Sequence, residues 1–95
     1  MKNKRYILKG TEPQPCDDLE EWAIWMNEPN CRIARDEIGD VSVSTVFLGV
    51  ASDDIDGVPV LFETMVLPSN LVRRYTTHEQ ALAGHAQTVC DLSIV

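Results

Sequence analysis

The chain reads as a two-layer α+β domain, an antiparallel sheet of about five strands with two helices packed on one face, in the order β-α-β-β-β-β-α. Three observations point there. Two stretches, near residues 17 to 28 and 78 to 92, repeat apolar side chains at helical spacing and open on capping residues. Several short runs rich in Val, Ile, Thr, Phe and Tyr are bounded by Gly, Asp and Pro, as strands are. One pair of those runs flanks Gly39-Asp40, a turn signal that makes them an antiparallel hairpin. The 95 residues form one domain, residues 1 to 95. A chain of this length buries roughly 60–70 % of its unfolded surface, enough for a core without staples.

Taken in order, "KRYILK" at residues 4 to 9 is a short strand around Tyr6, Ile7 and Leu8 whose charged ends suit an edge position, and Gly10 ends it. "TEPQPC" carries two prolines and reads as a loop. Asp17 with Glu20 three residues on resembles a capping box, Leu19, Trp22, Ala23 and Met26 share one helical face, and Pro29 stops the element, so the first helix spans about residues 17 to 28. In the hairpin's second run Val41, Val43, Thr45 and Phe47 point one way, while Ser42, Ser44, Val46, Leu48 and Val50 point the other. "ASDDIDGVP" is a loop, "VLFETMVL" a strand with Phe62 facing opposite to Leu61, Glu63 and Met65, and "RRYTT" a last short strand. Thr77 caps the second helix with Gln80 at the capping-box position, and Leu82, His85, Val89 and Leu92 form its apolar stripe.

Residues 46 to 50 and 60 to 67 are apolar at nearly every position. A sheet covered on one side alternates apolar and polar, so these runs call for a cover on their second face. A second copy of the chain is the simplest cover, and a homo-oligomer is expected; the alternative is a long loop folded back over the surface.

The blocks "VSVSTVFLGV", "GVPVLFETMV" and "RRYTTHEQALAGH", in that order, resemble a family of small phage and prophage proteins with the pattern VSTVFLG…LFETMV…RYxTxxxAxxGH, over roughly residues 33 to 90. The family has no established activity. The resemblance implies a viral or prophage origin and a setting in the host cytoplasm. Where that family has an acid-histidine pair after the Leu-Gly, this chain has Ala51 and Ser52 before Asp53, which weakens any metal or catalytic reading of the loop.

Charge bounds the function further. Fifteen acidic against 8 basic side chains give −7, which repels phosphate backbones and argues against general nucleic-acid binding. Asp17, Asp18, Glu20, Glu21 and Glu28 gather around the first helix, and Asp53, Asp54 and Asp56 crowd one loop. The first four also sit at the favourable end of the helix dipole, so a solvated acidic face and a surface docking a basic partner both remain open. No run of about 18 apolar residues provides a membrane span, and only Tyr6-Ile7-Leu8 follows the basic start, too short for a secretory signal; no membrane association is expected. Cys16, Cys31 and Cys90, odd in number and widely spaced, read as three reduced thiols rather than a disulfide framework or a metal knuckle.

Glu63 is the first candidate site residue, because a carboxylate within a strand must reach solvent or find a cation. Arg32, Arg35, Arg73, Arg74 and His85 are its possible partners, in either a structural ion pair or a ligand-orienting site. His85 lies on the second helix beside Gly84 and reads as a satisfied core histidine or a ligand contact. His78, two turns earlier, does not complete the spacing of a zinc site, and no metal or cofactor is expected. Ser42, Ser44 and Ser52 lack a nucleophile-elbow context, the five glycines form no phosphate loop, and Trp22 and Trp25 read as core and interface side chains. The preferred reading is therefore a phage accessory protein, not an enzyme, that binds a host or phage protein, in one form inhibiting a host defence component. The alternative is a binder of small nucleotide-type ligands whose pocket uses Arg32, Arg35, Arg73 and Arg74 with Glu63 and Tyr75. An acid/base enzyme built on Glu63 and His85 is the remaining reading.

Overall fold

The computed structural model describes residues 4–27 and 29–93. Glu28, the expected end of the first helix, lies outside them. The α+β class with antiparallel sheets and two helices holds, and the strands divide between two larger sheets. The main sheet has the order β3-β4-β8-β9, with β3 at Arg32–Ile38, β4 at Val41–Phe47, β8 at Phe62–Leu67 and β9 at Leu71–Tyr75. A smaller sheet joins β2 (Glu12–Pro15), β1 (Lys4–Lys9) and β5 (Val50–Ala51), and β6 (Asp54–Ile55) with β7 (Val58–Pro59) forms a separate hairpin.

The β3–β4 hairpin turns at Gly39-Asp40 as its sequence demands, pairing Ile38 with Val41; Gly39 takes φ +59°, a left-handed backbone that glycine adopts without strain. From there the register runs Thr45 opposite Thr64 and Phe47 opposite Phe62, so period two puts Val43, Thr45, Phe47, Phe62, Thr64 and Val66 on one face, and all six are buried. That face receives helix α2 (His78–Ser93), which touches all four strands. Phe47 stacks against Phe62 at 5.3 Å and takes the edge of Trp25, from helix α1 (Leu19–Met26), at 5.6 Å. Burying each phenyl ring stabilises the fold by roughly 1.5–3 kcal/mol. Leu61 and Ala81 complete this cluster, with Tyr6, Leu8 and Met26 against it.

Several sequence expectations shift in detail. Helix α1 is capped by Asp18 rather than Asp17, through a 3.0 Å bond from the Glu21 amide, so the expected start at residue 17 moves inward. Its expected apolar face is only partly used, because Leu19 stays exposed while the Trp22 indole donates to the Gly49 carbonyl at 3.0 Å. Helix α2 begins behind Thr77 as expected, but its buried positions are Ala81, His85 and Thr88, not the stripe through Leu82 and Val89. Small residues there let the helix lie close to the sheet, which turns the bulkier Leu82 outward. Strand β1 is central in the small sheet rather than at an edge, because "TEPQPC" forms β2 beside it. Pro13 and Pro15 fit that outer strand since proline lacks only the amide that would point to solvent.

The two-sided apolar runs are partly accounted for within the chain. Leu48, Gly49, Val60 and Leu61 leave the main sheet; the Leu48 amide bonds the Leu61 carbonyl at 2.7 Å and the Tyr6 amide bonds Gly49 at 2.8 Å, so β1 packs beside this stretch. The sheet face away from α2 keeps Val46 and Met65 half-buried and leaves Leu67 and Val72 exposed.

Candidate functional site

Between α2 and the main sheet runs a continuous chain of polar side chains. Thr45 and Thr64 face each other across β4 and β8, so their hydroxyls meet at 2.5 Å. Thr45 also reaches His85 Nδ1 at 2.7 Å, and His85 Nε2 reaches an Asp36 carboxylate oxygen on β3 at 2.7 Å. At the other end the Tyr75 hydroxyl donates to Thr64 at 3.0 Å. A carboxylate oxygen only accepts, so in the neutral ring Nε2 carries the proton and Nδ1 accepts from Thr45. Thr45 then accepts from Thr64, and Thr64 from Tyr75. Both threonine hydroxyls donate and accept in one direction, Tyr75 to Thr64 to Thr45 to His85 to Asp36, which is how buried polar groups avoid a desolvation penalty.

Gly84 is part of this arrangement. A Cβ at that position would stand 2.3 Å from the Tyr75 ring, so only glycine lets the phenol slide beneath α2 to Thr64. One turn on, Thr88 donates to the Gly84 carbonyl at 2.7 Å and accepts from Arg73 at 2.9 Å, while Arg73 also pairs with Asp91.

Asp36, His85 and Thr45 have the spacing of an acid, a base and a hydroxyl nucleophile. Thr45 is 0 % exposed, however, so its hydroxyl meets no substrate, and the cluster ties helix to sheet.

The six residues singled out from the sequence do not converge. Glu63 and Arg74 pair at 3.0 Å on the face of the sheet away from α2, directly opposite each other in β8 and β9. Arg35 pairs with Glu37 at 3.2 Å on the edge strand β3. Arg73, Tyr75 and His85 lie on the helix side. Glu63 is thus separated from His85 by the sheet itself, and the pair has no shared reacting position. The arginines likewise divide between the two faces and form no common pocket.

A cavity of about 750 Å³ lies elsewhere. Its walls come from the β1–β2 hairpin (Tyr6, Glu12, Pro13), the β6–β7 hairpin (Val58, Pro59), Leu61, and the start of α2 (Thr76 to Glu79, with Leu82). His78, held edge-on to Phe62 at 6.0 Å, joins this wall to the aromatic core. None of the six expected residues lines it. A smaller recess of about 390 Å³ lies beside Glu63 and Arg74, bordered by Leu48, Val50, Ser52, Asp53 and Val60. Among the described residues no group of three His, Cys, Asp or Glu side chains is placed to hold a metal ion, and no helix is long and apolar enough to cross a membrane.

No protein-family model matches the chain, and neither a curated protein nor a solved structure shows significant similarity to it.

Proposed function

We propose that the protein acts by binding rather than by catalysis, as a phage or prophage accessory protein that contacts a host defence component in the host cytoplasm, and that it works as a homo-oligomer. The observation that carries this reading is the uncovered face of the main sheet. On it Val46, Met65, Leu67 and Val72 are interleaved with Ser42 and Ser44, and Arg32, Arg35 and Arg74 outnumber Glu37 and Glu63 by one positive charge, in a chain whose formal charge is −7. Elsewhere two copies repel; here they meet across apolar side chains with both signs of charge at the rim. The small-ligand reading through an arginine pocket has less support, because those arginines lie on two faces.

Sedimentation over a range of concentrations tests the assembly. We expect a mass at least twice that of one chain, reduced to one chain by Met65→Lys; a single-chain mass throughout overturns it. Expression in defence-bearing bacteria tests the rest. The expected result is recovered plating of a phage that the defence otherwise blocks, and failure across several unrelated defences removes the accessory role.

A further inference from the structure

The large cleft at the start of α2 is a docking site of its own, and we propose that its occupant is a basic, amphipathic peptide segment of a partner protein. A volume of about 750 Å³ is that of a ligand site, and its floor and walls are apolar: Tyr6, Pro13, Leu61 and Pro59 within, Val58 and Leu82 at the mouth. The charge at the mouth selects the ligand. Glu12 and Glu79 are the ionised side chains of its lining, and the hairpin that supplies Val58 and Pro59 also carries Asp54 and Asp56. Against these stand His78 in the lining and Lys9, opposite Glu12 across the β1–β2 hairpin. Among the described residues no arginine or lysine lines the cavity, so the lining lacks the groups that hold a phosphate, and a nucleotide is repelled where a lysine or arginine side chain is attracted.

The rim distinguishes a peptide from a compact small molecule. Ile55, Val58 and Leu82 are 49, 47 and 45 % exposed, and Ile55 pairs with Val58 in the hairpin that overhangs the cleft. A molecule confined to the cavity meets Val58 and Leu82 from inside and leaves Ile55, which is outside the lining, in water. A chain that places one apolar side chain inside and continues across the mouth covers all three, with its basic residues opposite the acids. The site is separate from the open sheet face, so it extends the binding reading without depending on self-association.

Fluorescence anisotropy of a labelled peptide with Leu-Phe between two lysines provides the test, set beside the same peptide with glutamates for the lysines and beside adenosine diphosphate as a competitor. The lysine peptide is expected to bind, the glutamate peptide to bind at least about tenfold more weakly, and the nucleotide not to compete. Leu82→Ser and the pair Glu12→Gln with Glu79→Gln are each expected to weaken binding about tenfold or more, and higher salt to weaken it further. Both changes lie at exposed positions, so circular dichroism should show an unchanged fold, and sedimentation an unchanged mass. Ile24→Asp, in the other acidic groove beside Asp18, Glu20 and Glu21, is the control. The proposal is overturned if neither peptide binds, if both bind equally, if the nucleotide competes, or if Ile24→Asp rather than Leu82→Ser weakens binding.

Discussion

The two faces of strands β4 and β8 invert what alternation usually means. Towards α2 the central pair is Thr45 with Thr64, both polar and both 0 % exposed; on the far side the next cross-strand row is Val46, Glu63 and Arg74, where an apolar side chain stands beside an ion pair at the surface. Val43, Phe47, Phe62 and Val66 make the α2 side the interior, and hydrogen bonding is what admits the two threonines among them. The threonines can be buried because each has a partner within reach, whereas Glu63 and Arg74 are paired yet keep contact with water.

Substitutions on each face should differ sharply, and thermal unfolding measures the contrast. The largest effect is expected for His85→Ala, which leaves Thr45 and Thr64 without an outlet and opens a void under α2: a loss of about 3 kcal/mol, or roughly 10–20 °C in Tm. A loss well under about 1 kcal/mol would mean the polar chain does not hold the helix. Gly84→Ala comes next, at about 2 kcal/mol, because the new methyl group displaces Tyr75 from Thr64. Adding Tyr75→Leu should recover part of that loss, and no recovery would place the damage elsewhere. Thr45→Val alone should cost about 1–3 kcal/mol by orphaning His85 Nδ1, yet the combination Thr45→Val, Thr64→Val and His85→Leu should cost much less than the sum of the single losses, since it removes three of the linked groups together and leaves only the part-buried Tyr75 hydroxyl to find a new partner. If the triple variant falls as far as the sum of its parts, packing rather than polarity governs this face. Smallest is Glu63→Gln on the other face, about 0.5 kcal/mol and shrinking in high salt, as for an exposed pair.

Much of the fold is legible from residue patterns. Gly39-Asp40 announces its hairpin, Thr77 with Gln80 announces α2, and a strand glutamate announces a cationic partner, which the structure narrows from five candidates to Arg74. His85 also reads correctly as a satisfied core histidine, with both ring nitrogens bonded. Its partners are hidden, because Asp36 and Thr45 are 49 and 40 residues away and nothing local marks a threonine as interior. The cleft is hidden for the same reason: Tyr6 with Pro13, Val58, and Leu82 belong to three separate segments, and only the docking of the two hairpins beside α2 brings them together. The central place of β1 is missed because two prolines mask β2, a strand that needs only half of its amides.

The notch between Gly84 and Tyr75 has a consequence for how α2 seats. The helix presents mostly small side chains to the sheet, Ala81 and Thr88 among them, and such a surface tolerates several axial settings. Moving α2 by about one turn, 5.4 Å, would bring a residue with a Cβ over the phenol. The missing methyl thus works as a keyway, admitting the helix at one depth along the sheet and excluding its neighbours.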